Sequence, residues 1–346
     1  MDKNGLLREI HALYEECPGN TVSEAQALCP EVMREKLFEA PILGIGSAED
    51  ALFTEYKKPE VVGPWFLTPT EWMESARTVV SLFFPFTEAV KKSNWTYTDG
   101  PSPLWLHGRI EGQEYLNGYM RRLKDRLEAL GLEACVPGLD TRFVKIVAGR
   151  NFTGYADISE KTFGSNWSER HAAYVCGLGT FGLSKGLITN KGMAGRFASV
   201  LISEELPADP RPYQGIYDNC IRCGVCVRRC PVDAISLEKG KDHVLCGAWL
   251  DKMGEIHAPR YGCGLCQTKV PCESRNPSGV RFANNITRAA FIPSFMLRRI
   301  CAALFMYKFC SVYRRFFWIF SMTTGSSSAK GWKFGSTSPS PRYRAL

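Results

Sequence analysis

Apolar positions in the first 205 residues follow helical spacing in some stretches. Residues 3–16 place apolar side chains at helical spacing and predict an amphipathic N-terminal helix. A second stripe, between Leu116 and Leu130, predicts a longer helix that Gly131 ends. Residues 169–176 (ERHAAYVC) are helix-like as well. The N-terminal part of the chain is therefore expected to contain at least three helices.

Strand-like segments lie between these helices. Residues 78–84 (TVVSLFF) are β-branched and aromatic and predict a buried strand that Pro85 bounds. Residues 41–46 predict a strand and a turn, and residues 143–148 and 197–203 are further strand candidates. This alternation predicts an α/β (α+β) cofactor and substrate domain over residues 1–205, which the linker-like segment PADPRP follows.

Composition limits the class of protein. The chain has 346 residues, enough for two packed domains, and 45% hydrophobic and 23% charged residues are ordinary for a soluble globular protein. The first twelve residues contain four charged side chains and do not resemble a signal peptide. Fourteen cysteines in such a chain favour metal binding over disulfides. A cytoplasmic protein is expected.

The net charge of +8 comes from the C-terminal segment. Residues 278–346 contain eleven Lys or Arg and no Asp or Glu, whereas the remainder carries 32 basic and 35 acidic residues. This segment is expected to be a basic, partly disordered tail. Residues 295–322 are apolar, but basic residues interrupt them. The longest uncharged stretch is therefore shorter than the roughly 20 residues that a membrane-spanning helix needs. The tail is a peripheral membrane anchor, a nucleic-acid-binding arm, or a terminus outside the fold.

Four cysteines follow a ferredoxin pattern. Cys220, Cys223, Cys226 and Cys230 are spaced C-x2-C-x2-C-x3-C, and Pro231 follows the last. A cubane [4Fe-4S] cluster needs one thiolate for each of its four irons. Two-residue spacings wrap three corners, and the cysteine before the proline turns to another cluster. The alternative is a zinc site, which normally needs only two close pairs.

A second group of cysteines supplies the missing ligands, so residues 213–277 are predicted to be a ferredoxin-type domain with two [4Fe-4S] clusters. The assignment gives cluster 1 to Cys220, Cys223, Cys226 and Cys272, and cluster 2 to Cys230, Cys246, Cys263 and Cys266. Cys272 departs from the ferredoxin pattern because five residues separate it from Cys266 and a proline precedes it. The other six cysteines are expected to be buried apolar residues.

Residues 177–182 (GLGTFG) match the G-x-G-x-x-G pattern. A dinucleotide site needs a strand before this pattern, whereas here the preceding stretch is helix-like. Gly177, Gly179 and Gly182 are therefore expected to end a helix and to form a close backbone turn beside a cofactor. Residues 103–113 (PLWLHGRIEGQ) are predicted to be a loop, in which Arg109 binds a cofactor phosphate or carboxylate or is simply solvated.

Three motifs in order carry a family resemblance. Residues 173–182 (AYVCGLGTFG), 187–189 (LIT) and 196–200 (RFASV), followed by the cysteine module, resemble epoxyqueuosine reductases and, more distantly, reductive dehalogenases. The resemblance spans roughly residues 40–277. It implies a cobalamin beside the glycine turn, electrons passing from the clusters to cobalt, and removal of an epoxide oxygen from a modified tRNA base.

The resemblance also implies an acidic proton donor about fourteen positions before the first glycine, where this chain has Phe163. Asp157, Glu169 and His171 are the candidate catalytic residues, and Glu160 is a further spatial substitute. The alternative for each is a surface carboxylate or a core histidine. The family's folded C-terminal domain for gripping tRNA is not expected here, which bears on the substrate more than on the redox class.

The leading hypothesis is a cytoplasmic iron-sulfur oxidoreductase. An external ferredoxin, flavodoxin or reductase supplies electrons, and the substrate is a small electrophile or a modified nucleoside, with tRNA as a partner. One alternative is an electron-transfer protein in which a ferredoxin module is fused to a docking domain. Another is an enzyme with a flavin in place of the corrinoid.

Overall fold

A four-stranded antiparallel sheet organises the N-terminal part of the chain in the computed structural model, which describes residues 1–146 and 164–279. Its strand order is β1-β2-β8-β3. The strands are β1 Ile42–Ser47, β2 Thr78–Pro85, β3 Ala134–Cys135 and β8 Gly195–Ile202. Every residue of β2 is buried, because this strand lies between two neighbours and carries apolar side chains to both faces.

Short two-stranded sheets, nine α-helices and two 3-10 helices, Pro30–Val32 and Pro137–Leu139, complete the part that the structure describes. The hairpins are β4 Lys145–Ile146 with β5 Gly164–Ser165, β6 Gly179–Phe181 with β7 Leu187–Thr189, and β9 Ile235–Ser236 with β10 Gly240–Lys241. The helices are α1 Lys3–Glu16, α2 Ala51–Glu55, α3 Pro69–Trp72, α4 Glu88–Ser93, α5 Pro103–Arg109, α6 Glu111–Ala129, α7 Glu169–Val175, α8 Val225–Arg228 and α9 His243–His257. None of these helices is long and apolar enough to cross a membrane.

The two faces of the sheet pack on different helices. Val80, Leu82 and Phe84 of β2 face the larger core, which includes apolar residues of α1 and α6. Val79 packs in a second core with Trp167 and residues of α7. The alternation follows from the two-residue period of a strand. It places α7 against the opposite face of the sheet from α1 and α6.

Most predicted elements are confirmed. The N-terminal helix spans Lys3–Glu16, the long helix spans Glu111–Ala129, and the helix-like segment before the glycines is α7. The strands predicted at 41–46, 78–84 and 197–203 are β1, β2 and β8. Since the sheet is antiparallel, the fold is of the α+β kind. Part of the strand candidate 143–148 lies outside the described residues, and the domain boundaries stay predictions.

The prediction of a loop at residues 103–113 is wrong, because helix α5 occupies Pro103–Arg109. Helix α5 begins there with Pro103 at its first position, and the Ser102 hydroxyl accepts a hydrogen bond from the Trp105 amide at 3.1 Å. Serine before proline is a helix-start signal, because proline lacks only an amide hydrogen that the first turn leaves unpaired anyway. Arg109 therefore lies at the end of a helix, where its backbone is held.

A buried polar network joins α5 and α6 to the cysteine-rich segment. His107 is fully buried, and its Nε2 accepts a hydrogen bond from the Leu28 amide at 3.1 Å. Because Nε2 is the acceptor, the proton of the neutral ring lies on Nδ1. This Nδ1 is 3.1 Å from Glu111 Oε2. Burial lowers the pKa of His107, which favours this neutral form. The other Glu111 oxygen accepts from Arg260 Nε at 2.9 Å. Glu111 thus lies against a buried histidine with one oxygen and binds an arginine with the other.

We expect Glu111→Gln to lower the free energy of unfolding by ~3 kcal/mol, because it leaves the Arg260 guanidinium without its counter-charge. Urea denaturation followed by circular dichroism measures this. Glu114→Gln, at an exposed carboxylate in the same turn of α6, is the control and should change stability by less than about 0.5 kcal/mol. Equal stability of the two variants would contradict a structural role for the network.

Candidate iron-sulfur and cofactor site

The four cysteines assigned to cluster 1 lie around one cavity. Its wall is formed by Cys220, Cys223, Cys226 and Cys272, together with apolar residues at the turn between β6 and β7. Cys226 lies on α8, while Cys272 comes from the far end of the segment. The chain therefore folds back so that Cys272 completes the set, as the sequence predicts. Its role as an iron ligand stays a prediction.

Electrostatic interactions connect the same four thiols. Burial raises the pKa of Cys272 to about 12, and the next causes are Cys226, Cys220 and Cys223. Burial also raises the pKa of Cys226 to about 11, with Cys266 of the second set as the next cause. Thiols with such pKa values need a bound metal to be deprotonated at neutral pH.

The second set is brought together in the same way. Cys246 lies on the first turn of α9, and burial raises its pKa, with Lys241 opposing and Cys266 and Cys230 adding to the effect. Burial raises the pKa of Cys263 to about 11, with further contributions from Cys266 and Cys246. Each of the four predicted ligands is thus an electrostatic neighbour of at least one other.

Positive charge and N–H groups surround the second set. Lys241 on β10 has its pKa raised, first by Cys266 and then, against the effect of burial, by Cys246 and Cys263. The Ala234 amide donates to Cys230 Sγ at 3.2 Å. Such groups stabilise thiolates and raise the reduction potential of a cluster.

All twelve cysteines in the described ranges are free thiols. In the same ranges, no three His, Cys, Asp or Glu side chains converge as ligands of one metal ion. A four-iron cubane makes a different demand, because it takes one thiolate at each of four separated irons. Cys226 and Cys266 influence each other, so the two sets are neighbours.

The glycine turn packs against backbone. Gly177 has a φ of +77° and follows α7 in a Schellman arrangement, in which the Leu178 amide donates to the Ala173 carbonyl at 3.0 Å. A Cβ at Gly179 would lie 2.0 Å from the Ile188 carbonyl oxygen, and one at Gly182 would meet the Ile188 side chain. Packing thus accounts for these glycines, and their predicted contact with a cofactor stays a prediction.

Glu169 and His171 occupy different environments on α7. Burial raises the pKa of Glu169 to about 7, although hydrogen bonds to Ser199 and Trp167 oppose the shift. Burial, together with the charges of Arg170 and Lys185, lowers the pKa of His171 to about 4. At neutral pH the imidazole is therefore uncharged, while the carboxyl is about half protonated. Asp157, Glu160 and Phe163 lie outside the described residues.

The His171 ring is fixed on several sides. Its Nδ1 is 2.7 Å from the Ser168 hydroxyl, and its ring centroid is 4.8 Å from that of Tyr56 and 5.0 Å from that of Phe181. These contacts hold the ring between the helix and the β6–β7 hairpin. His171 is thus placed as a rigid neutral group rather than as a mobile surface side chain.

Arg109 is close to the cysteine-rich segment. Its Nη2 donates to the Tyr261 hydroxyl at 2.6 Å, and its guanidinium carbon lies 4.5 Å from the centroid of the Tyr261 ring. Sequence reasoning missed its neighbour Arg196, which lies near the start of β8 and donates to Gln113 Oε1. The sequence does contain a signal for Arg196, because it is the one charged residue in the strand GRFASVLI.

Arg170 and Arg196 lie among surrounding protein and still reach solvent. Arg170 is exposed and Arg196 half-buried, yet burial by surrounding protein is the main cause that lowers the pKa of each. From this combination we infer a cavity where α7 and the head of β8 lie close together. Cys266 is an electrostatic neighbour of Arg170, so this cavity adjoins the second cysteine set.

Residues 213–236 match the family model of the 4Fe-4S binding domain, so this segment carries a cluster-binding motif. The match includes the run from Cys220 to Cys230. The sequence matches no curated protein.

Solved structures of two kinds match this chain at low identity. A selenomethionine-labelled epoxyqueuosine reductase is 15% identical with a TM-score of 0.43, over 78% of this chain and 66% of that one. The Streptococcus thermophilus epoxyqueuosine reductase is 17% identical with a TM-score of 0.40, over 68% and 64%. The reductive dehalogenase NpRdhA is 19% identical with a TM-score of 0.41, over 72% and 33%. The match thus covers slightly less than two thirds of the length of each reductase and about one third of the length of the dehalogenase.

Glu169 should make stability depend on pH. Its pKa rises from 4.5 to about 7 on folding, so the folded state binds the extra proton between these values and stability falls as pH increases through them. We expect a loss of ~3 kcal/mol between pH 4.5 and pH 8 from this group, which Glu169→Gln removes. Urea denaturation across this range measures it.

The matched control for Glu169 is the exposed carboxylate Glu114. Glu114→Gln should keep the pH dependence of the natural protein. If Glu169→Gln keeps it too, the carboxyl is ionised in the folded protein and the assignment is wrong.

Proposed function

We propose that this protein is an oxidoreductase in which two [4Fe-4S] clusters deliver electrons to an acceptor in the cavity beside Arg170 and Arg196. One observation carries the proposal: eight cysteines lie in two neighbouring sets, and the second set adjoins this cavity. Two neighbouring clusters make a path for electrons rather than a binding site, because thiolates occupy all their irons.

The exposure of the cysteines supports a direction for this path. Cys223 of the first set is exposed, whereas Cys266 neighbours Arg170 and Lys241. An external donor protein, such as a ferredoxin, flavodoxin or reductase, would therefore reduce cluster 1, and cluster 2 would receive the electron next. The positive charges of Lys241 and Arg170 favour the added negative charge at cluster 2.

The acceptor proposed for the cavity is a corrinoid. A bound corrinoid would supply a strongly reducing cobalt centre for attack on an electrophile. The cavity fits such a cofactor in being open to solvent and in adjoining the second cysteine set. His171 and the glycine turn after α7 would lie beside the cofactor. A flavin in the same space is the alternative that the experiment separates.

Among the described candidates, Glu169 is the proposed store of a proton. With a pKa of about 7, Glu169 is partly protonated at neutral pH, whereas His171, with a pKa of about 4, is neutral. His171 instead forms part of the wall between α7 and Phe181. Asp157 stays a prediction from the sequence.

The proposed substrate is an electrophilic small molecule or a modified nucleoside. The motif resemblance to epoxyqueuosine reductases supports the nucleoside, and one such reductase has been solved with an epoxyqueuosine-modified tRNA stem loop. Binding of tRNA by this chain is part of the same proposal. The basic residues 278–346 supply charge for it, but they lie almost wholly outside the described residues.

Titration of the anaerobically purified protein with cob(II)alamin, followed by cobalt EPR, tests this function. We expect the cobalt spectrum to change until one equivalent of cobalamin is bound, because the cavity replaces the solvent environment of the cofactor. Iron analysis on the same sample serves as the control that both clusters are present. An unchanged cobalt spectrum with intact clusters would contradict the corrinoid and favour an electron-transfer protein or a flavin enzyme.

A further inference from the structure

Three arginines from separate elements converge beside the second cysteine set. Arg109 ends α5, Arg170 lies on α7, and Arg196 lies near the start of β8. Arg196 is an electrostatic neighbour of both others, and Arg170 is a neighbour of Arg109. Helix, helix and strand thus place three positive charges within interaction range of one another, although like charges repel.

Neutral groups hold two of these side chains. Arg109 donates to the Tyr261 hydroxyl at 2.6 Å and stacks on the Tyr261 ring, and Arg196 donates to the Gln113 side chain. Each guanidinium has five N–H donors, so most of them remain available. The contacts fix the position of the charges without neutralising them.

In the described part of the chain, no carboxylate lies within ion-pair distance of Arg109, Arg170 or Arg196. Other arginines do find such partners: Arg126 pairs with Glu16, and Arg260 pairs with Glu111. Three guanidinium groups that have no carboxylate partner among the described residues are costly in the free protein. An anion that enters the cavity would remove that cost and accept several charge-assisted hydrogen bonds.

Two lysines extend the positive wall. Lys185 and Arg170 both act on His171, and Lys241 is an electrostatic neighbour of Arg170. Because Arg170 is exposed and Arg196 half-buried, a solute can reach both. The cavity therefore attracts anions and is open to them.

We propose that Arg109, Arg170 and Arg196 form an anion-binding site that holds a carboxylate or phosphate group of the substrate beside cluster 2. The inference rests on the proposed function in taking this cavity as the place of reduction. Guanidinium groups suit both anions, since their paired N–H donors match two oxygens of either group. The site would orient an acidic substrate so that its electrophilic end faces the electron source.

Direct binding tests this site without any turnover. The full-length protein with its clusters is titrated with inorganic phosphate, acetate and adenosine 5′-monophosphate by isothermal calorimetry at low ionic strength. Arg196→Gln and Arg170→Gln should weaken binding at least ~10-fold, since each removes a charge-assisted hydrogen bond. Arg121→Gln, at an exposed arginine of α6, is the matched control and should bind like the natural protein.

The three probes separate the sources of the anion. Preference for acetate indicates a carboxylic acid substrate, preference for phosphate indicates a phosphate ester, and tighter binding of the nucleotide than of phosphate indicates a nucleoside. The iron content of each variant shows whether its clusters are intact. If Arg196→Gln loses its clusters, the anion affinity of Arg170→Gln tests the site.

Three outcomes would overturn the site. One is that none of the probes binds to protein with intact clusters, and another is that both arginine variants bind like Arg121→Gln. The third is a change of cluster reduction potential in both variants with unchanged anion affinity, which would mean that the arginines only offset thiolate charge. None of these readouts depends on cobalamin, so failure of the cobalt titration and failure of the anion site are distinguishable.

Discussion

Bonds between thiolates and iron are the interaction on which the cysteine-rich segment depends. Between residues 213 and 277 only a few apolar side chains are buried, namely Ala234, Ile235, Met253, Leu265 and Val270. Elements there are short apart from α9, and that helix buries only Met253. So small a core cannot offset the conformational entropy that the loops lose on folding. Metal coordination, in contrast, stabilises such modules directly. If all eight cysteines bind iron as proposed, they form the core of this segment as well as its redox centre.

Charge balance then links the clusters to the rest of the fold. In the proposed assembly, eight thiolates bring more negative charge than two [4Fe-4S] cores offset, and the chain places Lys241 and Arg170 next to the second set. Arg260, bound to Glu111, joins the same segment to α6. The Met193 and Ala194 amides, just before β8, donate to the Cys272 and Glu273 carbonyls, so the sheet domain and the cysteine-rich segment are joined at the place proposed for the site.

The elements with a clear period could be predicted from the sequence, and so could the grouping of cysteines. Helix α1 and strand β2 follow their apolar spacing, and Cys272 joins its set although it departs from the ferredoxin spacing. The helix at Pro103 was missed because its apolar residues showed no clear period, although Ser102 and Pro103 signalled a start. The arginine cluster could not be predicted, since Arg109, Arg170 and Arg196 are far apart in sequence and meet only through the fold.

Metal analysis of the natural protein and of Cys272→Ala, after anaerobic purification, decides whether the cysteines hold two four-iron clusters. We expect about eight irons and matching sulfide in the natural protein, and loss of about half in the variant, because one of two clusters loses a ligand. Cys29→Ala, at a cysteine outside both sets, should keep all the iron. Unchanged iron in Cys272→Ala, or zinc in place of iron in the natural protein, would contradict the assignment of two four-iron clusters.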